Sequence, residues 1–270
     1  MNSPRRKPRA PKRRITGTYP IASGHAAIIA DPDRDGGYTL EVNNVPSSYV
    51  VPGAPEVLEY DYMRWIAGFI QGFVEDRPLA PFAAVHLGAA GCALPSYVQH
   101  RWPSSNVAVE LDGQLARLVR DAFDPPVAIK VAEARAFTHA LLEGSVDVIV
   151  RDVFAGPDTP RPLTTVEFYR AVHRALCPGG LFVANIGDAA GLARTRAELA
   201  GLSEVFRHTM VAASAPVLAG GAYGNVVVAA SDQPLRCCAD VPSKQGQLLI
   251  DDTPPHHLSL IHISERAGKA

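Results

Sequence analysis

The stretch Ala83-Ala84-Val85-His86-Leu87-Gly88-Ala89-Ala90-Gly91-Cys92-Ala93-Leu94-Pro95 decides how the chain folds. An apolar run enters a turn built only of small residues, with glycines at 88 and 91, and another apolar segment follows. A buried parallel strand hands over to a helix in this way where something must approach the backbone closely. A bulky side chain at Gly88 or Gly91 is expected to fill the space of a nucleoside-type ligand. About twenty residues on, Asn106-Val107-Ala108-Val109 forms a second short strand ending in Glu110. An acid at that strand end is placed to accept hydrogen bonds from both ribose hydroxyls. Turn and acid together predict a nucleoside-binding α/β domain. The spacing Gly88-x-x-Gly91 lacks the third glycine of a dinucleotide fingerprint, and no phosphate-loop lysine follows. An adenosine ligand carrying a sulfonium therefore fits better than NAD, and no pyrophosphate is expected.

Outward from this stretch the pattern alternates. Strands are predicted at 83–87, 106–110, 127–131, 146–150 and 181–185, with helices over 95–101, 114–123, 136–143, 165–176 and near 190–200. A closing antiparallel pair is expected at 205–212 and 224–230. Strands alternating with helices indicate a doubly wound, mostly parallel sheet of Rossmann-like type, with the ligand at the carboxyl ends of its strands. Ahead of it, Ala26–Ala30, a turn of Asp, Pro and Gly, and Tyr38–Val42 read as a hairpin. Residues 55–73 carry apolar and aromatic side chains at helical intervals and read as a helix. The domain plan is thus a disordered basic tail over 1–14, a β-hairpin appendage over 15–54, the nucleoside-binding domain over 55–235, and an irregular tail over 236–270. A frameshifted or read-through end would account for that last segment.

Composition sets limits on partners. At 47% hydrophobic and 20% charged residues the chain has a globular balance, and no run of about 18 apolar residues marks a membrane helix. Residues 1–14 hold seven Lys/Arg and no acid, leaving the remainder near −8. No aromatic residue interleaves these charges to stack on bases, so a solubilising tail is expected rather than a nucleic-acid arm. The cysteines Cys92, Cys177, Cys237 and Cys238 have no framework spacing, which suits a reducing, cytoplasmic setting. His256, His257 and His262 have no carboxylate or cysteine at ligand spacing, and no metal is expected.

At the carboxyl ends of the strands stand Gly88, Gly91, Glu110, Glu133, Asp152 and Asn185. Asp152 follows the apolar strand 146–150 and is the candidate acid/base. An alkyl amine is protonated at neutral pH and must lose a proton before it attacks carbon, and a carboxylate in reach can bind, orient and deprotonate it. The other reading of Asp152 is a helix or turn cap, and that of Glu133 a solvated surface acid.

These residues, with the run Asp147-Val148-Ile149-Val150-Arg151-Asp152, the stretch Leu163–Tyr169 and Leu176-Cys177-Pro178-Gly179-Gly180, resemble the spermidine synthase family, the polyamine aminopropyltransferases. The resemblance covers roughly residues 15–235. It implies an N-terminal β appendage, a nucleoside-binding sheet, and transfer of an aminopropyl group from decarboxylated S-adenosylmethionine to putrescine, usually by a homodimer or homotetramer. It implies that Leu87, Gly88, Gly91, Glu110, Leu111, Glu133 and Ala134 hold the donor, that Asp152 is catalytic, and that Tyr60, Asp61 and Asn185 meet the acceptor. The loop 153–164 is implied as a gate. Ala90 and Ala155 stand where the family usually has acids, and Asn185 where it has glutamine. Ala90 supports the alternative of an S-adenosylmethionine-dependent methyltransferase, and the thinned acceptor site that of an inactive binding module.

Overall fold

The computed structural model describes residues 15–75, 77, 81–238, 247–251 and 259–261. The basic segment 1–14 and His256, His257 and His262 lie outside the described residues. Four strands come first: β1 (Gly17–Ile21), β2 (Gly24–Ala30), β3 (Tyr38–Val42) and β4 (Val45–Val50), an antiparallel meander in chain order. The expected hairpin is the β2–β3 pair, and β1 and β4 flank it.

Helix α1 (Asp61–Glu75) buries Met63, Trp65, Ile66, Phe69 and Ile70. It starts later than the expected residue 55. Residues 51–57 make two tight turns around Pro52 and Pro55, with the Ala54 N–H donating to the Val51 carbonyl and the Val57 N–H to that of Ala54. Proline disfavours the helical conformation in the residue before it, so the periodicity outran the helix.

The main sheet then builds in alternation: β5 (Phe82–Leu87), α2 (Ala93–Arg101), β6 (Ser104–Glu110), α3 (Gly113–Phe123), β7 (Ala128–Val131), α4 (Ala134–Ala140) and β8 (Val146–Arg151). It continues with α5 (Val166–Ala175), β9 (Leu176–Asp188), α6 (Ala193–Ser203), β10 (His208–Ala213), α7 (Ala215–Leu218) and β11 (Gly224–Ser231). Strands β7, β6, β5, β8 and β9 are parallel neighbours in that order, and β11 then β10 extend the sheet, each antiparallel to its neighbours. This is a Rossmann-like sheet of methyltransferase type. Within the stretch 236–270, read as irregular, β12 (Gln247–Asp251) pairs with β10 and β13 (Ser259–Ile261) pairs with β12.

Cys177-Pro178-Gly179-Gly180 ends α5, as its composition predicts, but it does so inside β9 rather than in a separate turn. Gly179 adopts φ 71°, and the β8–β9 register shifts between Val146 and Val148. The centre of the sheet is apolar, with Val148, Ile149, Phe182, Val183 and Ala184 fully buried. One charged group joins that core. The Arg151 guanidinium pairs with Glu198 of α6 at 2.7 Å and donates to the Leu163 carbonyl at 2.7 Å, while the Tyr169 hydroxyl donates to Glu198 at 2.7 Å. A buried ion pair depends on its remaining polar atoms being bonded, and Tyr169 and Leu163 supply such bonds, while the Arg151 Nε finds no partner among the described residues.

From β5 the chain steps outward through β6 to β7 and then returns to β8 on the other side of β5. That reversal is the topological switch point of the sheet, where ligands bind in open α/β folds.

Candidate active site

At the switch point two strand ends meet. Leu87 and Arg151 are register partners, and just beyond them the Asp152 N–H donates to the Leu87 carbonyl at 2.8 Å. Gly88 sits against this junction with φ 89°, and a Cβ there would run into the Asp152 carbonyl oxygen. Glycine at 88 is therefore required by the close approach of β8's end and by its left-handed backbone.

Glu110, at the end of β6, reaches back to the turn. Its Oε2 accepts from the N–H groups of Ala89 (3.3 Å) and Ala90 (3.4 Å), and its Oε1 accepts from the Asp112 N–H at 3.0 Å. Burial raises its pKa above the usual range, and these three amides oppose the rise. A carboxylate has about four acceptor positions, so capacity remains for a ligand hydroxyl. Asp112 caps α3 through the amides of Gln114 and Leu115, and its other oxygen accepts from the Ser23 N–H (2.7 Å) and hydroxyl (2.8 Å). Burial alone would raise its pKa, but the amides of Leu115 and Ser23 and the Ser23 hydroxyl hold it below the usual value. Glu133 is the N-cap of α4, accepting from Arg135 (2.8 Å) and Ala136 (2.7 Å).

Asp152 is not a cap. Its Oδ1 accepts from the Asn185 side-chain amide at 2.9 Å and its Oδ2 from the Tyr62 hydroxyl at 3.1 Å. Burial raises its pKa, and the Asn185 and Tyr62 bonds partly offset this. Two donors from different elements, β9 and α1, thus fix the orientation of a carboxylate that holds its proton more tightly than usual. A carboxylate whose proton affinity is raised by burial and steered by two donors is the kind of group found at acid/base sites.

A cavity of about 1080 Å³ joins these groups. It is lined by Gly88, Ala90, Glu110, Leu111, Glu133, Ala134, Asp152 and Asn185, as expected, and by Tyr62, His86 and Tyr223, which sequence reasoning did not single out as ligand-facing. Four carboxylates line it (Glu110, Asp112, Glu133, Asp152) and, among the described residues, no Lys or Arg does. The cavity is electrostatically suited to a cation.

Four expectations need correction. Leu87 is fully buried in β5 and contributes its carbonyl to Asp152, not a surface to the cavity. Gly91 does not line the cavity: a Cβ there would lie 2.7 Å from Ser48 Cβ and 2.8 Å from Val50 Cγ2, and its N–H donates to Ser48 Oγ at 3.0 Å. Its smallness serves the packing of β4 on the turn, not room for a ligand. Asp61 points away to form an ion pair with Arg64, and Tyr60 stacks on Tyr62 outside the lining. The aromatic that reaches Asp152 is Tyr62. The signal for it was the Tyr60-Asp61-Tyr62 run, but which ring turns inward depends on where α1 starts, and the proline turns set that. Among the described residues no group of three or more His, Cys, Asp or Glu is placed to hold a metal ion.

No protein-family profile matches the chain. A polyamine aminopropyltransferase of Chromobacterium violaceum is 28% identical over 184 residues, which are 66% of this chain and 66% of that one. The chain thus spans just under two thirds of the length of this curated relative. A spermidine synthase solved in complex with the transition-state analogue AdoDATO is similar with a TM-score of 0.62 over 80% of this chain and 73% of its own, and at 20% identity it speaks to the fold alone. The crystal structure of a probable spermidine synthase from Corynebacterium glutamicum is similar with a TM-score of 0.78, covering 81% of this chain and 80% of that one. At 42% identity across that span, the chain belongs to the spermidine synthase family.

Proposed function

We propose that this chain transfers an aminopropyl group from decarboxylated S-adenosylmethionine to a polyamine-type amine. The observation that carries the reading is the Asp152 carboxylate, held by Tyr62 and Asn185 at the floor of an acid-lined cavity. Glu110 is assigned to the donor's ribose, and Leu111, Glu133 and Ala134 to its base. The fit rests on the spare acceptor positions of Glu110 and on a lining that, among the described residues, holds no basic side chain, which suits a sulfonium. Asp152 binds the acceptor ammonium, orients it and takes its proton. The freed nitrogen forms a bond to the methylene carbon next to sulfur, the carbon–sulfur bond breaks with its electron pair going to sulfur, and methylthioadenosine leaves.

Ala90 favours a second reading. It lines the cavity in a turn that holds no acid, so nothing there repels the carboxylate of intact S-adenosylmethionine, and methyl transfer would follow on the same geometry. Calorimetric titration with each donor, followed by mass analysis of the amine product, separates the two. Tighter binding of the decarboxylated donor with aminopropylated product supports the first, and a methylated product the second. Binding of neither would remove the donor site built on Gly88 and Glu110.

A homodimer, implied by the family resemblance, belongs to this proposal and is checked by sedimentation. So does a cytoplasmic setting, which the absence of disulfides among the four cysteines supports. No helix among the described residues is long and apolar enough to cross a membrane.

A further inference from the structure

Among the described residues, two side chains lining the cavity carry a buried polar atom with no hydrogen-bond partner: the Asn185 amide oxygen and His86 Nδ1. The Asn185 amide donates to Asp152, so its oxygen belongs to the reacting end. His86, 1% exposed, is the residue that β5 contributes to the lining. Strand β5 lies between β6, which ends in Glu110, and β8, whose end precedes Asp152. Which nitrogen of His86 carries the proton follows from a chain of bonds anchored on backbone carbonyls. The Gln99 amide donates to the Ser104 carbonyl at 3.0 Å, so its Oε1 is left to accept from the Asn106 NH2, also at 3.0 Å. That NH2 donates as well to Ser104 Oγ at 2.8 Å, and the Ser104 hydroxyl is itself directed at the carbonyls of Val98 and Trp102. Asn106 therefore turns its Oδ1 to His86 Nε2 at 2.9 Å, and Nε2 holds the hydrogen. Burial pushes the ring's pKa down to about 4, so the imidazole is neutral at pH 7 and Nδ1 is a bare lone pair. A buried acceptor costs free energy until something donates to it. The first turn of α2, on the face of the sheet where Gln99 meets Asn106, brings only Ala93, Leu94 and Pro95 to the lining.

Resting on the transferase reading above, we infer that His86 is a specificity-determining residue of the donor site, its Nδ1 accepting a hydrogen bond from the ammonium that ends the donor's aminopropyl chain. A donor with its ribose on Glu110 and its transferable carbon toward Asp152 crosses the end of β5. The chain beyond its sulfonium then turns beneath the glycine turn, where Ala89, Ala90 and Ala93 are small, and meets His86. The cation on the ligand keeps the ring unprotonated, so Nδ1 stays an acceptor.

Two variants separate this role from the bond to Asn106. In His86→Gln the amide NH2 stands for Nε2 and keeps that bond, but the Nδ1 position is empty. In His86→Asn the amide oxygen stands near the Nδ1 position and the bond to Asn106 is given up. Calorimetric titration of the full chain compares decarboxylated S-adenosylmethionine with methylthioadenosine, the same nucleoside without the aminopropyl chain. His86→Gln is expected to weaken the decarboxylated donor by about 10- to 100-fold, the scale of a hydrogen bond to a charged group, and to leave methylthioadenosine unchanged. His86→Asn is expected to keep the wild-type ratio of the two affinities. Equal loss of both ligands in His86→Gln, or a ratio kept by glutamine and lost by asparagine, overturns the inference and leaves the transferase reading standing. Nitrogen-15 NMR of the wild-type imidazole decides the point without a variant. The bare Nδ1 signal should shift on adding the decarboxylated donor and not on adding methylthioadenosine, and a signal that neither moves sinks the inference. A methylated product would overturn the aminopropyl reading instead. Intact S-adenosylmethionine carries the same ammonium, so the same affinity ratio read with it still decides His86. Binding of neither donor nor methylthioadenosine to the wild type overturns both.

Discussion

Asp152→Asn separates the chemical role of this side chain from its structural one. In the wild type the carboxylate accepts from Tyr62 at 3.1 Å and from Asn185 at 2.9 Å, while the Asn185 amide oxygen is buried without a partner. In the variant the new amide oxygen accepts from Tyr62. Its NH2 donates to the Asn185 oxygen once that amide turns over, so both bonds persist and an orphaned acceptor is satisfied. The general base is lost, which removes about 10²–10⁴ in kcat, or roughly 3–5 kcal/mol of barrier. Stability moves the other way. Burial raises the Asp152 pKa above its ordinary 3.8, so the folded chain holds that proton more tightly than the unfolded chain. Wild-type stability therefore falls as pH rises from the ordinary value through the raised one. The asparagine variant lacks this loss, so the two proteins should unfold alike in acid and the variant should be at least as stable at neutral pH. Donor turnover and thermal unfolding across pH measure both. Activity within threefold of wild type would refute the catalytic assignment, and a variant much less stable at neutral pH would refute the electrostatic argument.

His86 is buried, its Nε2 bonds Asn106 at 2.9 Å, and burial pushes its pKa down to about 4. The folded chain then resists a proton that the unfolded chain accepts near 6.5, so stability should fall as pH drops from about 6.5 to about 4. His86→Gln should flatten that part of the unfolding profile by roughly 3 kcal/mol. Gly91→Ala should cost about 1–3 kcal/mol by overpacking Ser48 and Val50 and should expose residues 15–50 to limited proteolysis, leaving the β5–β8 core intact. Gly88→Ala, strained by its φ of 89° and blocked by the Asp152 carbonyl, should cost more and abolish donor binding in calorimetry. Glu198→Gln leaves the Arg151 charge uncompensated at 0% side-chain exposure, and denaturant unfolding should show a loss of about 3–5 kcal/mol.

The order of strands was legible because apolar runs such as Val146–Val150 and Leu181–Asn185 are long enough to be buried on both faces, and small residues mark each handover. Glu110 and Asp152 were legible for the same reason: a carboxylate directly after such a run stands at the sheet's carboxyl edge. The roles of Gly91, Leu87 and Asp61 were not. The purpose of a glycine depends on what lies opposite its missing Cβ, and at 91 that is Ser48, forty-three positions earlier in the chain. Asp61 reads in sequence as a free acid because the arginine that neutralises it, Arg64, comes into reach only once α1 has started at Asp61. The two rings of Tyr60 and Tyr62 likewise differ only through that start.

The same long-range dependence changes the meaning of the N-terminal sheet. In sequence it is an appendage, a short β segment ahead of a complete α/β pattern. In the fold its Ser23 shares Asp112 with the first turn of α3, and its Ser48 accepts from the Gly91 amide inside the donor turn. Ser23, Val45 and Ser48 line the cavity directly. A carboxylate that bonds a helix N-terminus and a distant loop at once transmits any loss of one to the other, since its burial depends on both. Removing the sheet would therefore open one wall of the site and release the α3 cap and the Gly91 amide together. The four-stranded sheet is thus part of the cavity proposed to hold the donor, which makes the domain border near residue 54 a border in sequence pattern more than in packing.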